Sequence, residues 1–255
     1  MDNIALIGFQ GVGKTTIGKS LARSPAYNIE KPSDFVREMY SLVKADPTMT
    51  LIRSYNNDTN TGLGRRMLAK FGHLPHALVD TDDLVKTVIG VDSIEQFATD
   101  VNKKYQFRDV ESAAIQLVAD LSKNRHMVTS LGGGAFCPYD GDVIDESDVR
   151  CYHKAARDNL ANADFDIFYL TPDKSSVDNS IRLLRSRIAR DKGVNLDRIA
   201  IPEESLKRRH PTYLNGSDHV VEVFRFREGQ PYPRSIDDIC DSIKSRLTSR
   251  RIDVL

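Results

Sequence analysis

Short apolar runs alternate with segments of helical periodicity along most of the chain. Ile17 and Leu21 follow the first run with helical spacing, and apolar residues recur with that spacing through 107–121. Each short apolar run is typical of a buried strand. The pattern predicts strands at 4–7, 77–79, 127–129, 168–170 and 219–221.

The composition is that of an ordinary globular protein, with 40% hydrophobic and 28% charged residues among 255. The 36 basic and 36 acidic residues cancel, which argues against a broad nucleic-acid surface. No apolar run reaches the roughly 18 residues that span a bilayer, and the N-terminus lacks the features of a signal peptide. Cys137, Cys151 and Cys240 lack metal-ligand spacing, so we expect reduced thiols and a cytoplasmic location. We expect neither a nucleic-acid nor a membrane partner.

A glycine loop follows the first predicted strand. Residues 8–15, GFQGVGKT, fit the pattern G-x-x-x-x-G-K-[ST] between a strand and a helix. Glycines allow backbone N–H groups to surround phosphate oxygens, and the helix N-terminus adds its dipole. Lys14 would reach the β- and γ-phosphates, and the Thr15 hydroxyl would ligate Mg²⁺. The motif predicts a nucleoside triphosphate site made by Gly11, Val12, Gly13, Lys14, Thr15 and Thr16.

Two classes of P-loop protein fit poorly. A GTPase carries Asn-Lys-x-Asp to bind guanine, and residues 102–105 are NKKY, without the aspartate. A motor ATPase has a longer apolar strand that ends in Asp-Glu, whereas residues 77–83 are ALVDTDD. The sequence therefore favours a different phosphate-handling class.

Asp80 and Asp82 follow the second predicted strand, at the end where open α/β sheets bind ligands. One interpretation divides the work, with Asp80 facing a metal and Asp82 facing a second substrate. Aspartate is also favoured as the N-cap of a helix for structural reasons alone. The residues themselves leave both interpretations open.

Arg108 and the glycines at 132–134 have alternatives of the same kind. Arg108 could be a solvated residue, or it could pair with Glu111 three positions further along the helix. A third interpretation is that its guanidinium binds a carboxylate through two hydrogen bonds. The three consecutive glycines are a flexible turn after a strand, or backbone left bare so that a ligand lies against it.

The order of these motifs resembles the shikimate kinase family. The resemblance covers residues 1–22 and about 62–250. It implies an α/β fold, doubly wound around a parallel sheet of about five strands, as one P-loop kinase domain over 1–255 with a mobile lid near 188–203. The matching segments, in order, are GFQGVGKT (8–15), DTD (80–82), FRDVE (107–111), GGG (132–134) and RHPTY (209–213).

The resemblance implies a role for each matching residue. The first aspartate of the family's D-x-D lies near magnesium, which is Asp80 here, and the second grips ring hydroxyls, which is Asp82. The arginines of F-R and R-x-P-x-Y bind the substrate carboxylate, which carries over to Arg108 and Arg209. The glycines line the floor under the ring, with N–H groups free to bond its oxygens; they are Gly132, Gly133 and Gly134.

The lid departs from the family pattern. Arg187 matches the family's adenine-side arginine, and counting forward from it places the lid arginine at Val194, which cannot serve. Arg190, Lys192 and Arg198 are nearby substitutes. We predict that Arg190 or Arg198 supplies catalytic positive charge.

An insertion at about 24–61 is the second departure. Residues 33–43 have the pattern of a capped amphipathic helix, and 56–60 are typical of an exposed loop. The insertion is either a surface elaboration that packs on the parent fold or a contact with a partner or a second copy.

Three functions fit these observations. The first is ATP- and Mg²⁺-dependent phosphorylation of shikimate, in which Asp82 orients the acceptor hydroxyl and accepts its proton. The second is a kinase for another polyol or sugar acid, such as gluconate. The third is a nucleotide-binding regulatory module that has lost its chemistry with the lid arginine. In each case we expect a monomer or homodimer.

Overall fold

Five strands form one parallel sheet at the centre of the protein. A computed structural model describes residues 2–9, 11–55, 60–92, 104–132, 134, 136, 146–192, 203–227 and 230–252. The strands are β1 (Asn3–Gly8), β2 (Leu78–Asp80), β3 (Val128–Ser130), β4 (Phe165–Thr171) and β5 (His219–Glu222). Their order across the sheet is β2-β3-β1-β4-β5. Every residue of β1 and β4 is buried, which explains the apolar runs at 4–7 and 167–170 within these strands.

Helices flank the sheet. They are α1 (Lys14–Leu21), α2 (Pro32–Ala45), α3 (Pro47–Tyr55), α4 (Asn60–Phe71), α5 (Thr81–Ile89), α6 (Lys104–Ser122), α7 (Glu146–Asn162), α8 (Val177–Lys192), α9 (Glu203–Gly216) and α10 (Ile236–Ile252). The predicted architecture, a parallel sheet of five strands with flanking helices, is confirmed. Within the described ranges, no helix is long and apolar enough to cross a membrane.

The register of the sheet brings the ends of three strands to one edge. Leu6 of β1 and Asp80 of β2 both pair with Ser130 of β3. The glycine loop after β1, the aspartates after β2 and the glycines after β3 therefore leave the sheet close together. Ligands bind at this carboxyl edge in open α/β sheets.

The insertion contributes two helices that pack on the rest of the fold. Phe35 and Met39 of α2 and Met49 of α3 are buried in the common core. Glu38 of α2 accepts hydrogen bonds from Asn124 and Arg125, just after α6, and forms an ion pair with Arg125. A role as a contact with a partner stays a prediction.

Several element boundaries differ from the sequence-based expectation. The helix that carries FRDVE begins at Lys104, three residues early, and α2 extends beyond 33–43 at both ends. RHPTY lies inside α9, which accommodates Pro211 in its interior. An antiparallel hairpin, β6 (Phe224–Arg227) and β7 (Gln230–Pro233), follows β5 and was not predicted. Of the predicted loop at 56–60, residues 56–59 lie outside the described residues, as do 193–202 of the predicted lid.

Candidate active site

The glycine loop adopts a backbone that side chains would obstruct. Gly11 and Gly13 have φ of 81° and 94°, in the left-handed region that favours glycine. A Cβ on Gly8 would lie 2.5 Å from the Leu170 carbonyl oxygen of β4. The motif's glycines therefore satisfy both a conformational and a packing requirement, and Gly13 is the N-cap of α1.

Lys14 folds back over this loop. Its Nζ donates hydrogen bonds to the carbonyl oxygens of Gly8 at 2.8 Å and Phe9 at 3.2 Å. Burial lowers the pKa of Lys14, and the positive charge of Arg209 acts in the same direction. The negative charges of Asp82 and Asp80 act to raise this pKa. Lys14 therefore points back onto the loop rather than into solvent, because the carbonyls offer its ammonium group partners in a partly buried position.

Asp80 accepts three hydrogen bonds, and two of them confirm the N-cap interpretation left open by the sequence. Its Oδ1 accepts from the backbone N–H groups of Asp82 at 3.1 Å and Asp83 at 3.3 Å, as the N-cap of α5. Its Oδ2 accepts a 2.6 Å hydrogen bond from the Thr15 hydroxyl. The N-cap bonds therefore hold the carboxylate with one oxygen turned toward the glycine loop.

The pairing of Thr15 with Asp80 fits a magnesium ion. Both contribute hard oxygen ligands beside the loop, and Mg²⁺ is usually held by one or two such groups together with substrate phosphates and water. Among the described residues, no group of three or more His, Cys, Asp or Glu side chains could hold a metal by itself. That Thr15 and Asp80 hold Mg²⁺ stays a prediction.

Asp82 lies in the first turn of α5, in surroundings that disfavour its charge. Burial raises the pKa of Asp82 to about 6, and the negative charges of Glu111 and Asp80 act in the same direction. Lys14 and Lys86 oppose the shift. A carboxylate that titrates near neutrality suits a general base.

Arg108 and Glu111 form a buried ion pair near the start of α6. Both residues are less than a tenth exposed, and an Nη of Arg108 donates to Oε2 of Glu111. The interpretation of Arg108 as a solvated residue is therefore wrong. Binding of a substrate carboxylate by Arg108 stays a prediction.

The glycines after β3 make room for these charged side chains. A Cβ on Gly132 would collide with Oδ1 of Asp82 and lie 2.9 Å from Oε1 of Glu111, and one on Gly134 would collide with the Arg108 guanidinium. The N–H of Gly132 donates to the Thr81 hydroxyl at 2.8 Å, so the expectation that this group is free for a ligand is wrong. Gly133 lies outside the described residues.

The other arginines predicted for the site lie at different distances from the glycine loop, where the structure describes them. Arg187 of α8 donates to the Val12 carbonyl at 3.3 Å and covers Gly13. Arg190 is exposed near the end of α8. Arg209 of α9 is close enough to Lys14 for its charge to act on that side chain. Arg198 and Val194 lie outside the described residues.

Sequence reasoning missed a group of aromatic side chains beneath the loop. Phe9 packs against Tyr169, His210 and Tyr213, with ring centroids 6.1, 6.3 and 5.5 Å away. The motif leaves position 9 open, so the sequence carries no signal that its side chain is buried. Thr81, which binds Gly132, was missed for the same reason.

Comparisons with known proteins agree with this fold. The sequence model of the shikimate kinase family matches residues 61–228. A shikimate kinase structure from Bacteroides thetaiotaomicron has 16% identity and a TM-score of 0.52, covering 97% of this chain and 98% of that one. A gluconokinase structure from Sinorhizobium meliloti 1021 has 14% identity and a TM-score of 0.44, covering 99% and 95%. No curated protein matches.

The parallel sheet, its strand order and the glycine loop define a P-loop small-molecule kinase fold. The chain belongs to the shikimate kinase family, since the family match covers well over half of its 255 residues. That match begins directly after the insertion, which separates the glycine loop from the remaining motifs.

Proposed function

We propose that this protein transfers the γ-phosphoryl group of ATP to a hydroxyl of shikimate, giving shikimate 3-phosphate and ADP. The observation that carries the proposal is the convergence of Lys14, Asp82 and Arg209 at the carboxyl edge of the sheet, where the charges of Asp82 and Arg209 both act on Lys14. A cation for phosphate, a base for a hydroxyl and a cation for a carboxylate are the groups that this reaction requires.

The phosphate side of the reaction falls to the glycine loop. Lys14 stabilises the negative charge of the transferring group when it exchanges the Gly8 and Phe9 carbonyls for phosphate oxygens. Thr15 and Asp80 would hold Mg²⁺, which when bound neutralises charge on the phosphates. Arg187 lies against the loop and is the proposed contact on the adenine side.

The acceptor side falls to Asp82. As the acceptor oxygen bonds to the γ-phosphorus, the bond from that phosphorus to the β–γ bridging oxygen breaks and ADP leaves. An oxygen of Asp82 takes the hydroxyl proton. With its pKa raised to about 6, Asp82 is ionised at neutral pH and still basic enough to accept that proton.

Two arginines are the proposed carboxylate contacts. Glu111 holds one edge of the Arg108 guanidinium, which orients the fork in a buried position. Arg209 is supplied by α9, a separate element further along the chain. Together they would favour an acid acceptor over a neutral polyol.

Acceptor choice tests the proposal directly. ADP release is measured with ATP and Mg²⁺ in the presence of shikimate, of gluconate and of no acceptor, with Lys14→Ala as the blank. We expect release with shikimate. Release with gluconate alone would reassign the acceptor, and calorimetric ATP binding without release for any acceptor would favour the regulatory module.

The acid site has its own test. Calorimetry with shikimate compares Arg209→Ala with Arg208→Ala, its exposed neighbour on α9. We expect about tenfold weaker binding in Arg209→Ala and unchanged binding in Arg208→Ala. Equal affinity in the two variants would show that the carboxylate lies elsewhere.

A further inference from the structure

A buried histidine joins three parts of the fold that surround the glycine loop. The Nδ1 of His210, on α9, lies 2.7 Å from the hydroxyl of Tyr169 on β4. The ring stacks on Phe9 of the loop, with centroids 6.3 Å apart and planes inclined by 28°. Tyr213, one turn further along α9, packs on the rings of Phe9 and Tyr169, with centroid distances of 5.5 and 5.2 Å.

The hydrogen bonds of His210 fit a neutral ring. Burial lowers the pKa of His210, and a second hydrogen bond engages the backbone of Lys174, in the loop after β4. A neutral imidazole offers one donor and one acceptor nitrogen, so the two bonds use both. The ring therefore has a defined orientation between β4, the following loop and Phe9.

Phe9 carries this contact to the catalytic lysine. Its carbonyl oxygen accepts from Lys14 Nζ at 3.2 Å and from the Val12 N–H at 3.3 Å. Its side chain is 1% exposed. Phe9 thus binds Lys14 through its backbone carbonyl and packs on His210 through its ring.

The neighbour of His210 is the proposed carboxylate arginine. Arg209 precedes it on α9, and the charge of Arg209 acts on Lys14. His210, together with Tyr213, thus attaches α9 to Phe9 of the glycine loop.

We propose that His210 is a positioning residue that sets Arg209 relative to Lys14, through its stacking on Phe9 and its hydrogen bond to Tyr169. It couples the position of the acid acceptor to that of the phosphate group. This inference rests on the proposed function only in the choice of acceptor for the kinetic test.

The kinetic test separates the hydrogen bonds from the packing. His210→Phe keeps a ring beneath the loop and loses both hydrogen bonds, and Tyr169→Phe removes one oxygen. We expect each to raise the acceptor KM about fivefold with little change in the KM for ATP. The double variant should have an acceptor KM no higher than that of the more affected single variant, since both substitutions remove the same His210–Tyr169 hydrogen bond. His210→Gln, whose amide can donate and accept, should restore most of the affinity.

A matched control lies on the other side of the sheet. His219 of β5 packs on Phe168, with centroids 4.7 Å apart. His219→Phe should change thermal stability and leave the acceptor KM as in wild type. If His210→Phe behaves like His219→Phe, His210 is structural only and the inference is overturned.

A second measurement does not depend on any acceptor. The surroundings of Arg209 are followed by ¹⁵N NMR of its guanidinium in the protein without ligands, with the resonance assigned by its loss in Arg209→Ala. Displacing Arg209 should shift this resonance in His210→Phe and leave it as in wild type in His219→Phe. An unchanged Arg209 resonance in His210→Phe overturns the inference. Absence of turnover with every acid in wild type would instead overturn the proposed function alone.

Discussion

The two halves of the candidate site are built in different ways. The phosphate half is residues 8–15, a continuous loop whose geometry follows from its own glycines. The acceptor half comprises side chains from separate elements: Asp82 of α5, Arg108 and Glu111 of α6, Gly132 and Gly134 after β3, and Arg209 of α9. One half is specified over eight neighbouring residues, the other only when distant elements have packed.

The difference extends to the energetics. Lys14 satisfies its ammonium group with backbone carbonyls of its own loop. Asp82 instead lies beside Glu111 and Asp80. Burial and these like charges disfavour the ionised form of its carboxyl group. We infer that the phosphate half is locally stable, whereas the acceptor half depends on a network of charges in which each member affects the others.

The largest expected effect comes from the phosphate half. Lys14→Ala should lower kcat about a hundredfold to a thousandfold, because it removes the cation that stabilises the transferring phosphoryl group. The fold should persist, since the Phe9 carbonyl keeps its hydrogen bond from the Val12 N–H. Lys19→Ala, an exposed lysine on the same helix, is the control for steady-state kinetics. Near-normal turnover of Lys14→Ala would remove the kinase interpretation.

The next effect isolates the base in the acceptor half. Asp82→Asn should lower kcat about a hundredfold while calorimetric ATP affinity is retained. In wild type, kcat/KM should fall as pH decreases through about 6, because protonation of Asp82 removes the base. Asp83→Asn is the control, since Asp83 pairs with Lys70 at 2.8 Å on the outer side of α5. A pH profile flat through that range would contradict the assignment.

The glycines offer a purely steric test of the assembled half. Gly132→Ala places a methyl group against Asp82 and Glu111, which should raise the acceptor KM about tenfold and lower the free energy of unfolding by about 1–3 kcal/mol. Gly64→Ala in α4 is the control. Its Cβ would meet only Tyr40 at 3.6 Å, so it should be neutral or stabilising. Equal behaviour of the two variants in kinetics and urea unfolding would show that Gly132 is an ordinary turn residue.

The predicted lid could supply charge to both halves, and its effect is expected to be similar or smaller. Replacing Arg190, Arg198 or both by Ala should lower kcat about tenfold with ADP affinity unchanged, if either supplies charge on closure. Arg182→Ala is the control, since Arg182 is exposed on α8 and donates to Asn179 at 2.7 Å. Wild-type turnover by the double variant would show that the lid supplies no catalytic charge.

The smallest effect concerns stability. Because the pKa of Asp82 is higher in the folded protein, about 6 against 3.8, the folded state holds more protons between these values and stability falls as pH rises through that window. At pH 8, Asp82→Asn should therefore raise the free energy of unfolding by on the order of 1–2 kcal/mol. Urea unfolding at pH 8 and below pH 4 measures it. A gain that persists at the lower pH has another cause.

Local patterns predicted the five strands of the sheet, but they did not predict every helix boundary or the β6–β7 hairpin. The apolar runs identified all five strands of the sheet because buried parallel strands are hydrophobic on both faces. The FRDVE helix began three residues early, at Lys104, and the β6–β7 hairpin was missed. Neither has a strong turn or cap signal in its own sequence.

Within the site, the sequence was sufficient wherever the chemistry depends on neighbouring residues. The glycine loop and its left-handed backbone follow from residues 8–15, because φ preferences are local. Asp80 as an N-cap of α5 is local in the same sense.

Tertiary packing was needed wherever an energy depends on distant groups. The raised pKa of Asp82 requires Glu111, which is 29 positions away, and burial that no local pattern reports. Gly132 and Gly134 are required because Asp82 and Arg108 occupy the space of a Cβ. His210 meets Phe9 from the far end of the chain. Electrostatic and steric energies depend on distance in space, so they were decided only when the sheet brought these segments to one edge.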